Sequence, residues 1–281
     1  MCIRDRYNIY YHTYKKIIRA HTNQRNKIGG FKMKIKHFLL VILCTLYVLL
    51  NCITPVKSFS EDSPSIRGKS NTLPAGKTIY LTFDDGPSTE VTSKILNILQ
   101  EKNVKATFFV IGYKINGHEK ILRRIYNEGH SIGLHTYTHK YSKIYSSPDS
   151  FLNEMNKTGK EVKNILGFAP KIIRFPTGSK GHLDEYLLEK LHSCGYKIYD
   201  WNLCLSDGID YRTPVQKLYS EGTEKCINPN KIFLLAHCDS QNKNTCKVLP
   251  KIIDYYINLG YEFKTITRNT PEYHFRVSEY N

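Results

Sequence analysis

From Lys77 onward, apolar β-type runs alternate with helix-length amphipathic segments, and this alternation limits the fold more than any other feature of the chain. The spacing predicts about seven strands, at 77–83, 104–111, 131–134, 171–175, 196–201, 231–236 and 261–266. Helical patterns lie between most of them, such as 149–166, with Leu152, Met155, Val162 and Ile165 on one stripe. Gly129, Gly167, Gly195 and Gly260 each stand where a helical pattern stops and a strand begins, as a left-handed terminating residue would. Strands joined by helices run parallel, so the chain should form an α/β sheet, either doubly wound or closed into a barrel, within one domain over 77–268. Residues 269–281 are then a C-terminal tail.

In parallel α/β architectures the loops that follow the strands share one face, where active sites form. The conspicuous polar residues fall there. Asp84 and Asp85 follow the first strand, His135 and His139 the third, Arg174 ends the fourth, Asp207 follows the fifth and His237 the sixth. Two adjacent carboxylates repel each other unless a metal, a base or a shared proton makes use of both. Histidines four apart, as in HTYTH at 135–139, can bind one ion together, although two surface histidines give the same pattern. A carboxylate added to them makes a facial set with open positions. One aspartate could then ligate and the other take a proton. The bland reading of Asp84-Asp85-Gly86, a turn after a strand, needs only one aspartate.

The segments TFDDGP (82–87), HTYTH (135–139), RFPTG (174–178) and LLAH (234–237) resemble, in order, the motifs of the polysaccharide deacetylases, the NodB-homology or carbohydrate esterase family 4. The resemblance spans roughly 77–267. It implies a distorted (β/α) barrel and metal-dependent removal of N-acetyl, sometimes O-acetyl, groups from polysaccharides. It makes Asp84 the general base, Asp85, His135 and His139 the metal ligands, and Arg174 the partner of Asp84. His237 becomes the general acid, and Leu235 lines the pocket for the acetyl methyl. Zinc suits such ligands best, with cobalt, nickel or iron able to occupy the same set.

Two departures stand out. Thr177, after Pro176, replaces an aromatic residue before Gly178; its backbone N–H can still serve an oxyanion. The segment DWNLCLSDG offers either Asp200 or Asp207 as partner of His237; the family's usual Trp six residues ahead favours Asp207, with Gly208 where a Trp usually follows.

The net charge of +16 is concentrated at the front, where residues 1–37 carry +9 and the remainder +7, so it is no nucleic-acid signature. Residues 33–58 read as an export segment, basic then apolar, with cleavage after Ser58 or retention as an anchor through 38–53 both open. Residues 1–32 read as a spurious or disordered leader, and 59–76 as a linker. The expected place is therefore the cell exterior or wall, where a basic enzyme meets an anionic polymer. The expected substrate is the N-acetylglucosamine of peptidoglycan, with chitin oligomers, exopolysaccharide or acetylxylan as alternatives. Five cysteines, Cys194, Cys204, Cys226, Cys238 and Cys246, lie past the export segment, an odd number for disulfides. A non-catalytic glycan-binding module would not need the acid and base. An iron oxygenase would leave Arg174 and His237 without a role, and a glycosidase needs carboxylates roughly 5–9 Å apart across the bond.

Overall fold

The computed structural model describes residues 76–224 and 228–277. The leader, the export segment, the possible anchor, most of the linker and Cys226 lie outside the described residues. The chain divides into two units, Met1–Asn71 and Thr72–Asn281, and the second carries the fold. Among the described residues no helix is long and apolar enough to cross a membrane.

Among the described residues eight parallel strands form one sheet: β1 (Thr78–Gly86), β2 (Thr107–Val110), β3 (Ser131–Leu134), β4 (Ile172–Ile173), β5 (Lys197–Ile198), β6 (Leu203–Cys204), β7 (Lys231–His237) and β8 (Glu262–Phe263). Their order is β5-β4-β3-β2-β1-β7-β6, with β8 also pairing β1. The expected strand over 196–201 is replaced by two short ones, β5 and β6, at opposite ends of that order. A flat sheet would hold those ends about 29 Å apart, six strand spacings. The chain from Ile198 to Leu203 reaches at most about 18 Å. The sheet therefore curls until its edges approach, which is the distorted barrel expected from the motifs.

Period-2 alternation divides each strand between two environments. Ile79, Leu81 and Phe83 of β1, with Ile232, Leu234 and Ala236 of β7, pack in the large core under the helices. Tyr80 and Phe233 stack at 4.6 Å on the concave side, with Phe109, Tyr199, Trp201 and Leu235. Thr82 and Asp84 continue the concave register on β1, and His237 continues it on β7.

The four expected glycines all hold positive φ, between 74° and 85°. Gly167, with φ 85°, closes the helix Pro148–Leu166, which Ser147 opens by accepting the Ser150 N–H. Residues 269–277, which the sequence places outside the domain, are part of it. Tyr273 bridges to Tyr199 and stacks on Phe233 at 4.9 Å, while Phe275 meets Trp201 edge-on at 5.3 Å. The tail thus covers the gap left between β5 and β6. Cys194, Cys204, Cys238 and Cys246 are free thiols.

Candidate active site

Asp84 ends the concave face of β1 and pairs in register with His237 on the adjacent strand β7. Parallel neighbours in register point the same way, about 4.8 Å apart, so the two side chains stand side by side. Arg174, fully buried, holds Asp84 from below. Its Nη1 donates to Asp84 Oδ1 at 3.0 Å and to Thr82 Oγ1 at 2.7 Å. Its Nε and Nη2 donate to the carbonyls of Tyr199 and Asp200, at 2.7 and 3.1 Å. Its guanidinium lies 4.2 Å above the Phe109 ring. Burial pushes the Asp84 carboxyl above its ordinary pKa, against the opposing pull of Arg174 and then His237. A stronger base results.

Asp85 turns away from Asp84 through a left-handed backbone, φ 70°. Its Oδ1 faces His135 Nε2 at 3.5 Å and His139 Nε2 at 3.3 Å, and the three ligand atoms lie within 4.8 Å of one another. His135 Nδ1 donates to the Arg174 carbonyl at 2.9 Å, which leaves the lone pair on Nε2. Burial, then the neighbouring His139, lowers the His135 pKa to about 3, so the ring is neutral. Asp85 Oδ1 is buried without a hydrogen-bond partner. An orphaned anionic oxygen facing two imidazole nitrogens is the donor set a divalent cation requires. The residues fit such an ion.

Asp85, Thr136, His139 and Thr177 all hold left-handed φ without being glycine, at 70°, 66°, 52° and 65°. Each such residue costs of order 1–3 kcal/mol, and such strain gathers at functional sites. Thr177 is exposed, between buried Pro176 and Gly178. Leu235 precedes His237 by two residues on the same face of β7 and is buried.

The two registers for the partner of His237 separate clearly in space. Asp207 Oδ1 accepts from His237 Nδ1 at 2.8 Å, and Oδ2 accepts the His237 backbone N–H at 2.9 Å. Asp200 instead accepts the backbone N–H groups of Ser179 and Phe275, at 3.0 and 2.7 Å, and so ties the tail to the 176–179 loop. Burial alone would depress the His237 pKa; the charge and hydrogen bond of Asp207 outweigh it and carry the imidazolium to about 9. The His237 ring rests directly on Gly208, where a Cβ would lie 2.2 Å from Cε1. A side chain there would displace the ring.

Sequence reasoning missed the supports around these groups. Thr245 Oγ1 donates to Asp207 Oδ2 at 2.7 Å, and Asn242 Nδ2 to the Asp207 carbonyl at 2.9 Å. Lys114 Nζ bridges the Asp85 carbonyl at 3.0 Å and Asp239 Oδ1 at 2.7 Å. Nothing in the local sequence marks them, because each acts through a contact made far along the chain.

A family model for polysaccharide deacetylases matches residues 72–199. A peptidoglycan-N-acetylglucosamine deacetylase of Bacillus cereus is 32% identical over 209 residues, covering 72% of this chain and 72% of the relative. The chain belongs to the polysaccharide deacetylase family. The fold of this deacetylase agrees with that of a Streptococcus mutans carbohydrate esterase of family 4, at TM-score 0.64 and 32% identity, over 68% of this chain and 86% of that one. It likewise matches a Bacillus cereus polysaccharide deacetylase at TM-score 0.61 and 32% identity, over 72% and 96%. Family membership makes the chain a hydrolase of N-acetyl amide bonds.

Proposed function

We propose that this deacetylase removes the N-acetyl group of N-acetylglucosamine in peptidoglycan, with Asp84 as base and His237 as acid around one divalent ion. The observation that carries the reading is the convergence of Asp85, His135 and His139 beside the in-register pair Asp84 and His237. The Bacillus cereus relative supports the substrate. An exported location rests on residues 33–58 alone.

A cation held by Asp85, His135 and His139, zinc by donor type, would supply Lewis acidity towards the acetyl carbonyl and a water molecule. Asp84, fixed by Arg174, takes a proton from the attacking water as the new C–O bond forms. The Thr177 backbone N–H is the donor assigned to the developing oxyanion, a contact of the kind worth roughly 3 kcal/mol. The C–N bond then breaks, His237 gives its proton to the departing nitrogen, and acetate leaves beside a free amine. Asp84 and His237 must hold opposite protonation states at one pH. Arg174 on one and Asp207 on the other provide for that. Leu235 closes the acetyl pocket on its apolar side.

The direct test is acetate release by the purified full chain from peptidoglycan, chitin oligomers and acetylxylan. Release from peptidoglycan is expected. Release only from one of the others would move the substrate, and release from none would remove the catalytic reading.

Asp207→Asn gives a prediction of definite sign. In the parent, activity should persist to alkaline pH and fall as His237 deprotonates near pH 9. Removing the carboxylate removes what raises this pKa and leaves the burial that lowers it. The alkaline limb of kcat/KM should move by about 1–3 pH units towards acid. A pH–rate profile unchanged in that limb would deny His237 the role of acid.

A further inference from the structure

We propose that Glu154 is a positioning residue that holds the two histidines of the 135–139 loop in ligating geometry. The inference rests on the reading of Asp85, His135 and His139 as metal ligands. Glu154 lies on the helix Pro148–Leu166 and is only 4% exposed. Its Oε2 accepts the backbone N–H of Tyr137 at 3.0 Å, that of Thr138 at 2.6 Å and the Thr138 hydroxyl at 3.0 Å. Oε1 faces Lys143 Nζ at 3.1 Å.

The two pinned amides lie between His135 and His139. On the other side of the same loop, the N–H groups of Gly112 and Tyr113 donate to the carbonyls of Thr136 and Tyr137, at 2.9 and 3.0 Å. The loop backbone is thus gripped from both sides by distant parts of the chain. That grip is needed because Thr136 and His139 both hold left-handed conformations that relax if released. Losing the Glu154 acceptor would also leave two part-buried N–H groups unpaired. His139, past the pinned residues, would be the ligand to drift.

Reach and charge can be separated. In Glu154→Gln the amide oxygen occupies the place of Oε2 and accepts the same three donors; only the contact with Lys143, itself 59% exposed, is lost. In Glu154→Asp the charge stays and the carboxylate withdraws by one methylene. Zinc affinity is read by titrating metal-stripped full-length protein against a chromophoric chelator, with the thermal midpoint of each stripped variant recorded alongside. Glu154→Gln should bind zinc within about fivefold of the parent. Glu154→Asp should bind about ten to a hundredfold more weakly while still folded. Parental affinity in Glu154→Asp overturns the proposal, and so does a loss in Glu154→Gln as large as or larger than that in Glu154→Asp, which would make the role one of charge. A parent that binds no zinc would instead bring down the metal reading on which the inference stands.

Discussion

Replacing Asp84 with asparagine is expected to lower kcat for acetate release by about three orders of magnitude, within the range general-base loss produces. Asparagine keeps the shape of the side chain and the oxygen that receives Arg174 Nη1 at 3.0 Å. It cannot accept the proton of an attacking water. Because the orphaned Oδ1 of Asp85 faces both His135 and His139, while Asp84 Oδ2 approaches only His135, at 3.7 Å, zinc affinity and KM should stay near those of the parent. Single-turnover kinetics together with a zinc titration check both halves. A variant that keeps more than a tenth of the parental kcat would show that another group takes the proton.

The second large effect is on stability. Arg174 is wholly buried, and its guanidinium serves Asp84, Thr82 and two backbone carbonyls at once. Arg174→Met fills much of the volume and supplies none of the donors. Asp84 would then stand as a buried charge with its counter-ion removed, a loss that typically costs about 3–5 kcal/mol. Urea denaturation of the metal-free protein should report it. Adding Asp84→Asn to Arg174→Met should restore part of the loss, since the unpaired charge is what costs most. Additive losses in the double variant would mean that the two side chains are not coupled.

How much of this could be read from the chain depends on the range over which each signal acts. The glycine-punctuated alternation of strand and helix is local, and it gave the parallel sheet. The motif order marked the candidate site residues, and of these Asp85, His135 and His139 converge. Strand pairing is not local, so the register that sets Asp84 beside His237 was invisible, although both ended apolar runs. The strands β5 and β6 are two residues each, too short to show any period, and they merged into one expected strand. Asp200 and Asp207 lie seven apart; the Trp ahead favours Asp207, and the fold shows that Asp200 ties down Phe275 while Asp207 bonds His237. Tyr273 and Phe275 fall in the stretch read as a tail because they fill a gap in a curled sheet, which asks for aromatic bulk and not for periodicity. Glu154 sits on a helix whose apolar stripe was clear, yet its own burial follows from the amides of a loop sixteen and seventeen residues earlier.

The central claim is that Asp85, His135 and His139 together hold one divalent ion. Metal analysis after equilibrium dialysis of the full chain against zinc measures it directly, beside the double variant Asp85→Asn/His139→Gln. One bound ion per parent chain, absent from the folded double variant, is the predicted result. A folded parent that retains no zinc, cobalt, nickel or iron, or a double variant that retains as much as the parent, would contradict the account.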